Sequence, residues 1–177
     1  YADEILPPFL PPEIEVIDSQ IQKKNLRVAM FSGCIMDVSE TAVHESTLTL
    51  LRHIGCEVVV PGNQGCCGAL HVHSGDRKTA QEFALKNLAA FEPRHLDAII
   101  TNAAGCGAQL QEYHHLFSET NPESETGGKS AENWISFENK IVDVLEFLSR
   151  FPELLEKLSW RNDEDTVLYD APCHLMH

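Results

Sequence analysis

The residues of this chain best suited to chemistry are cysteines in glycine-rich settings. Two thiols are adjacent in Gly65-Cys66-Cys67-Gly68, and a disulfide between neighbouring residues closes a strained ring. Flanking glycines let the backbone adopt unusual dihedral angles and approach a bulky group closely. Further cysteines stand in the segments Gly33-Cys34, Gly105-Cys106-Gly107 and Asp170-Ala171-Pro172-Cys173-His174. Thiols repeated in such settings predict soft ligands around a metal centre.

The elements that must position these thiols alternate between strand and helix. Apolar and β-branched runs predict strands at 26–31, 57–61, 97–102 and 166–169. Helical spacing predicts helices at 39–54, 75–91, 107–117, 139–148 and 152–158, with Ser39 as an N-cap and Gly55 as a C-terminal glycine. Alternation of this kind predicts an α/β fold, in which a mainly parallel sheet has helices on its faces.

Each predicted strand ends a few residues before a cysteine. The carboxyl ends of parallel strands share one edge of the sheet, where ligands bind, and the helices that follow favour thiolate through their positive amino termini. We therefore expect the cysteine loops to meet at that edge and to hold a metal. The expected ligands are Cys34, Cys66, Cys67, Cys106 and Cys173, and the expected surrounding backbone is that of Gly33, Gly65, Gly68 and Gly105.

Composition narrows the classes of protein. The 177 residues include 13 Lys and Arg against 27 Asp and Glu, a net charge of −14, which argues against nucleic acid or an anionic membrane as partner. The sequence contains no run of 18 apolar residues that would predict a transmembrane segment. Six cysteines without a secretion signal favour reduced thiols. The proline-rich residues 1–25 are expected to form a linker or strap before a domain at 26–177, in a piece of a longer chain.

Other candidate residues have simpler interpretations. Cys56 begins a strand outside the glycine pattern and is expected to pack in the core. Four histidines near the cysteines are expected to be surface or hydrogen-bonding residues rather than ligands: His71, His73, His174 and His177. His114 and His115, and the polar loop 118–133, are expected to be solvated.

The combined motifs resemble a known family. Gly33-Cys34, Cys66-Cys67-Gly68 and Cys106 follow one another as in the cysteine-rich CCG domain, which occurs in heterodisulfide reductase and in the iron–sulfur subunits of glycolate and related 2-hydroxy-acid dehydrogenases. The phrases at 65–70, 102–107 and 170–175 look most like the glycolate oxidase iron–sulfur subunit. The resemblance covers roughly residues 26–177.

The resemblance implies an electron-transfer subunit of a glycolate-type oxidoreductase. Such a subunit would hold an iron–sulfur cluster, take electrons from a partner subunit that carries FAD, and pass them to a quinone or similar acceptor. It would lie in the cytoplasm or at the inner face of the cell membrane. This piece would contain the first half of a paired CCG domain and the start of the second, and would be inactive alone. Gln109 stands where heterodisulfide reductase has a further cysteine, so a conventional [4Fe–4S] cluster with four thiolates is expected.

Two other functions stay open from the residues alone. Four thiolates also suit tetrahedral zinc in a structural interaction module, although Cys-x-x-Cys knuckles are absent. Cys66 and Cys67 could instead carry thiol–disulfide chemistry in a heterodisulfide reductase-like redox subunit.

Overall fold

A computed structural model describes residues 26–91, 95–118, 131–155 and 166 of the chain. The predicted linker at 1–25, Cys173 with the histidines beside it, and most of the predicted loop 118–133 lie outside these residues. The predicted strand at 166–169 lies outside them apart from Thr166, as does the end of the predicted helix 152–158.

Within the described residues, four parallel strands form one sheet in the order β2-β1-β3-β4. Val28 of β1 is in register with Val58 of β2 and with Ala98 of β3, and β3 pairs with β4 through Ile99 and Ile141. The strands are β1 (Arg27–Phe31), β2 (Glu57–Val59), β3 (Ala98–Thr101) and β4 (Ile141–Asp143). The sequence prediction of a parallel sheet in an α/β fold is confirmed.

Helices cover both faces of this sheet. Their bounds are α1 (Met36–Ser39), α2 (Thr41–His53), α3 (Ala69–His73), α4 (Arg77–Phe91), α5 (Ala104–Gln111), α6 (His115–Ser118), α7 (Ala131–Glu138), α8 (Val144–Ser149) and α9 (Pro152–Leu155). Within the described ranges, none of them has the length and apolar character needed to cross a membrane.

Successive strand residues point into two separate cores, as the period of two requires. Ala29 and Ile99 pack on the face covered by α4 to α7, where Tyr113, Trp134 and Phe137 are almost fully buried. The opposite face packs against residues of α2 and α8, among them Leu51 and Phe147, with Val28 and Ile100 from the strands. Both faces of the sheet are therefore buried.

The path of the chain across the sheet reverses next to β1. From β1 the chain moves outward to the edge strand β2, then crosses back to β3 on the other side of β1 and continues to β4. In open parallel sheets, the crevice beyond the carboxyl ends at such a reversal is where ligands bind. Cys34 follows β1 and Cys106 follows β3, so these two cysteines flank the crevice.

The predicted helix at 139–148 is wrong in its first half. Ile141 and Val142 form strand β4 beside Ile99 and Ile100, and α8 begins only at Val144. Two β-branched residues fit a buried position in the sheet better than a helix. Asp143 ends the strand and caps the helix, because its Oδ1 accepts a hydrogen bond from the Leu145 N–H at 2.8 Å.

Other element boundaries also differ from the predictions. The predicted helix at 107–117 begins earlier and divides into α5 and α6, so Cys106 lies in the first turn of a helix rather than in a loop. Ser39 does not cap α2; it ends α1, and its hydroxyl donates to the Ile35 carbonyl at 3.2 Å. Gly55, with φ +92°, does follow α2 in the left-handed region, as expected.

Candidate metal centre

Four cysteine thiols lie together beyond the carboxyl ends of β1, β2 and β3. Cys34 comes from the β1 loop, Cys66 and Cys67 from the segment after β2, and Cys106 from the first turn of α5. The sequence predicted this convergence from topology alone. The fifth predicted ligand, Cys173, lies outside the described residues.

The outer pair of thiols is Cys34, which is exposed, and Cys66, which is partly exposed. The Cys34 thiol donates a hydrogen bond to Cys66 Sγ across 3.3 Å, and the Gly68 N–H donates to the same sulfur at 3.4 Å. Burial is the main cause that raises the pKa of Cys34, and the bond to Cys66 adds to it. Cys66 Sγ thus accepts two hydrogen bonds.

The inner pair of thiols is Cys67 and Cys106. Cys67 is 4% exposed, and its thiol donates a hydrogen bond to Cys106. That bond, followed by burial, raises the pKa of Cys67, and the same bond lowers the pKa of Cys106. A hydrogen bond between the Cys66 and Cys67 side chains opposes the rise in the pKa of Cys67.

Glycines let these segments pass close to one another and to α4. A Cβ on Gly33, which has φ +70°, would lie 3.9 Å from Cys106 Sγ. Gly68 has φ +84°, and a Cβ there would meet the Ala80 Cα at 3.3 Å. Gly65 lies against Phe83, 3.1 Å from an added Cβ, whereas Gly105 is within the first turn of α5. A side chain is therefore disfavoured by backbone conformation at Gly33 and Gly68 and by close packing at Gly65 and Gly68.

Two buried side chains hold the backbone of the vicinal cysteines. Asn87 is fully buried; its Oδ1 accepts from the Gly65 N–H at 2.7 Å, and its Nδ2 donates to the Cys66 carbonyl at 2.9 Å. Nδ2 also donates to the Tyr113 hydroxyl at 2.9 Å, which in turn donates to the Cys67 carbonyl at 3.0 Å. Burial raises the pKa of Tyr113, so its hydroxyl stays protonated as this bond requires.

A second network joins the Cys34 loop to the turn before Cys106. His44 Nε2 donates to the Ser32 carbonyl at 2.8 Å, which leaves Nδ1 to accept from Asn102 Nδ2 at 3.2 Å. Asn102 Nδ2 also donates to the Thr47 hydroxyl at 3.0 Å. The Ser32 N–H is bound by the Gln64 side chain at 2.9 Å, from the loop that leads to Cys66. All three cysteine segments are therefore linked by side chains of their neighbours.

Sequence reasoning missed these positioning residues, although one signal was present. Asn87 interrupts the apolar face of α4, which is formed by Ala80, Ala84, Leu88 and Phe91. A polar residue on a buried helical face needs hydrogen-bond partners. Its presence therefore indicates that a neighbouring segment is hydrogen-bonded to the helix at that point.

Residues outside the predicted ligand set behave as expected where they are described, except His71, whose Nδ1 is buried without a hydrogen-bond partner. Cys56 is buried in the core on the opposite face. His71 packs edge-on against Phe83 with ring centroids 5.2 Å apart, and His73 is exposed. His114, also expected to be solvated, remains partly exposed and pairs with Glu138 at 2.9 Å.

The donor set is chemically suited to an iron–sulfur centre. Among the described residues, no three His, Cys, Asp or Glu side chains are arranged as ligands of one metal ion, whereas tetrahedral zinc needs four donors around one point. In a [4Fe–4S] cluster each of four thiolates binds a different iron. The four thiols, the Gly68 N–H and the glycine backbone around them have the chemistry that such a centre needs.

Comparison with known proteins agrees with the cysteine pattern. Residues 28–111, which contain all four of these thiols, match the family model of the CCG cysteine-rich domain. No solved structure matches the chain.

Several curated proteins are similar to this chain. The probable glycolate oxidase iron-sulfur subunit of Bacillus subtilis is 43% identical over 153 residues, which is 84% of this chain and 32% of that protein. Lactate utilization protein A of Bacillus thuringiensis is 31% identical over 68% of this chain and 50% of its own length. An uncharacterized iron-sulfur protein of Methanococcus maripaludis is 26% identical over 91% of this chain and 28% of its length. The chain thus spans half or less of the length of these relatives.

Proposed function

Because residues 28–111 form a cysteine-rich domain of the CCG family, we propose that this chain is an iron–sulfur electron-transfer part of a flavin-linked 2-hydroxy-acid dehydrogenase of the glycolate type. The cluster in this proposal is a [4Fe–4S] cluster held by Cys34, Cys66, Cys67 and Cys106. Similarity to the probable glycolate oxidase iron-sulfur subunit supports an iron–sulfur role and implies a partner subunit. A flavin on that partner and a quinone or similar acceptor complete the proposal.

The observation that carries this proposal is the convergence of four thiols from three separate segments on one crevice. Cys34 and Cys106 are 72 positions apart, yet both lie beside the vicinal cysteines at the carboxyl edge of the sheet. Packing alone does not account for two partly accessible thiols and an exposed one at the same place. A thiolate-bound centre gives them a common role.

The protein's own residues would bind this centre and adjust its environment. An iron–sulfur centre, when bound, accepts and releases single electrons. The Gly68 N–H, already directed at Cys66 Sγ, would stabilise negative charge on that sulfur and so favour the reduced state. Asn87 and Tyr113 would keep the Cys66 and Cys67 backbone fixed while the charge changes, which limits reorganisation. Thiolate ligands need reduced cysteines, so the proposal includes a reducing compartment such as the cytoplasm.

Anaerobic reconstitution tests the proposal. The reduced chain is incubated with ferrous iron and sulfide, desalted, and assayed for bound iron and sulfide, for broad visible absorption, and for a low-temperature EPR signal after reduction. We expect iron and sulfide to bind in equal amounts. Serine substitution at Cys34, Cys66, Cys67 or Cys106 is expected to lower the iron bound.

Cys56→Ser is the matched control, because Cys56 is buried on the other face of the sheet. It should keep full iron binding. Iron binding that is insensitive to all four substitutions would overturn the ligand assignment. Stoichiometric zinc without iron or sulfide in protein purified under argon would instead favour the structural zinc module.

A further inference from the structure

The exposed thiol of the site is already in contact with a partly exposed one. Cys34 Sγ lies 3.3 Å from Cys66 Sγ; Cys34 is exposed and Cys66 is partly exposed. The two residues are 32 positions apart, so the contact is made by the fold and not by the local chain. Thiol–disulfide exchange requires this kind of access and sulfur-to-sulfur approach.

The other two thiols are paired with each other. Cys67 is buried and donates its hydrogen to Cys106. Its backbone carbonyl is held by Tyr113, and that of Cys66 by Asn87. The Cys66 side chain has hydrogen bonds with both Cys34 and Cys67, and only Cys34 of these two partners is exposed.

We propose that Cys34 and Cys66 form a reversible disulfide in the protein without its metal centre, and that this bond prevents loading of the centre until it is reduced. The pairing follows from the geometry, whereas its effect on loading rests on the proposed function. The oxidant is a low-molecular-weight disulfide of the glutathione class.

The reaction proceeds in two exchanges. Cys34, the exposed thiol, releases its proton to water and attacks one sulfur of the small disulfide; that S–S bond breaks, and the leaving thiolate takes up a proton. Cys66 then loses its proton and attacks Cys34 Sγ, which breaks the mixed disulfide and releases the second small thiol. The protein loses two electrons and two protons, and the small disulfide gains both.

Exposing the reduced, metal-free chain to oxidised glutathione under argon tests this pairing. Trypsin cleaves after Arg27, Arg52 and Arg77, so it places Cys34 in peptide 28–52 and the three residues Cys56, Cys66 and Cys67 in peptide 53–77. We expect these two peptides to be joined, with the mass of two hydrogens lost, and tandem mass spectrometry to locate the bond at Cys66. The link should persist in Cys67→Ser and disappear in Cys66→Ser.

The outcomes separate this proposal from the proposed function. A bond within peptide 53–77, a bond to Cys106, or no bond at all while the reduced chain still binds iron would overturn the pairing alone. If the Cys34–Cys66 bond forms, iron uptake should fall in proportion to the oxidised fraction and recover with dithiothreitol. Undiminished uptake by the oxidised chain would overturn both the block and the ligand role of these two cysteines. Assignment in the wild-type chain keeps the test valid even if a variant fails to fold.

Discussion

At the scale of single residues, the glycines of the site are as important to its structure as the cysteines. Gly68 lies between Cys67 and α3 in the left-handed region and against the backbone of Ala80. Its own N–H contacts Cys66 Sγ. The position therefore combines a backbone conformation, a close helix contact and a hydrogen bond to sulfur, and no other residue type satisfies the first two.

The substitution Gly68→Ala is expected to destabilise the protein by about 1–3 kcal/mol, because Ala at φ +84° is strained and its Cβ would meet Ala80. The free energy of unfolding from urea titration measures the loss. Gly62→Ala is the matched control: Gly62 is exposed, has no positive φ and no atom within 4 Å of an added Cβ. Its effect should stay within about 0.5 kcal/mol, and equal losses in both variants would contradict the packing argument.

Titration of Cys56 is expected to lower the free energy of unfolding at alkaline pH. Burial, with a smaller effect of Asp97, raises the pKa of Cys56 from 9.0 to about 11. The folded protein thus disfavours the thiolate. The contribution of protonated Cys56 to the free energy of unfolding is therefore fully present below the pKa of the unfolded state, and it is lost as the pH rises through the pKa of the folded state.

We expect wild-type protein to lose more stability than Cys56→Val between about pH 8 and about pH 10.5. Urea unfolding of the metal-free forms at both values measures the two differences. The comparison between variants cancels the contributions of Cys67 and Tyr113, whose pKa values are also raised. Parallel pH profiles would show that Cys56 does not titrate in this way.

At the scale of elements, α4 and the segment formed by α5 and the turn after it have two roles. They cover one face of the sheet, and they supply the side chains that hold the vicinal cysteines. Asn87 on α4 binds the Gly65 N–H and the Cys66 carbonyl, and Tyr113, just after α5, binds the Cys67 carbonyl. Core side chains therefore hold the vicinal cysteines by hydrogen bonds to their backbone, and these bonds do not involve the thiols.

Replacing these groups should loosen the cysteine segment. Tyr113→Phe removes the donor to the Cys67 carbonyl and is expected to cost about 1–2 kcal/mol. Asn87→Leu leaves a buried N–H and a carbonyl without partners and is expected to cost about 2–4 kcal/mol. Both changes should speed alkylation of Cys67 by iodoacetamide in the folded, metal-free protein, as followed by peptide mass spectrometry.

Glu82→Leu, on the exposed side of α4, is the control for both variants. It should leave the alkylation rate of Cys67 unchanged, and Cys56 should react slowly in every variant. An unchanged Cys67 rate in Tyr113→Phe and Asn87→Leu would mean that the two side chains do not position this loop.

Sequence patterns identified most of this arrangement for a physical reason. The strands before Cys34, Cys66 and Cys106 are apolar runs, and parallel topology alone brings their ends together. The pattern failed at Ile141 and Val142, because Ile141, Leu145 and Leu148 fall at helical spacing although a three-residue strand passes directly into α8. The five-residue α3 was missed because a helix this short shows no periodicity. His44 and Asn102 could not be paired in advance, since 58 residues separate them.

At the scale of the whole molecule, the net charge of −14 makes it unfavourable to place further negative charge at a thiolate centre. Two local features would offset this effect: the Gly68 N–H and the amino-terminal turn of α5, both of which carry partial positive charge. The remaining acidic groups repel one another across the folded surface.

Raising sodium chloride from about 20 mM to about 500 mM should therefore increase the melting temperature of the metal-free chain, since salt screens exposed charges beyond a Debye length of a few ångströms. Differential scanning calorimetry measures the change. Potassium chloride at equal ionic strength should give the same curve. A melting temperature that is constant or falls with salt would show that self-repulsion does not limit stability.

The crossover between β2 and β3 also sets an order of events during synthesis. A nascent chain that has emerged as far as Cys67 already contains three of the four thiols, yet β1 still lacks β3, the neighbour that brings in the fourth. The crevice is complete only when α4 has folded back and β3 has docked beside β1, because Cys106 follows β3. In the proposed function, insertion of an iron–sulfur centre would therefore follow folding of the sheet.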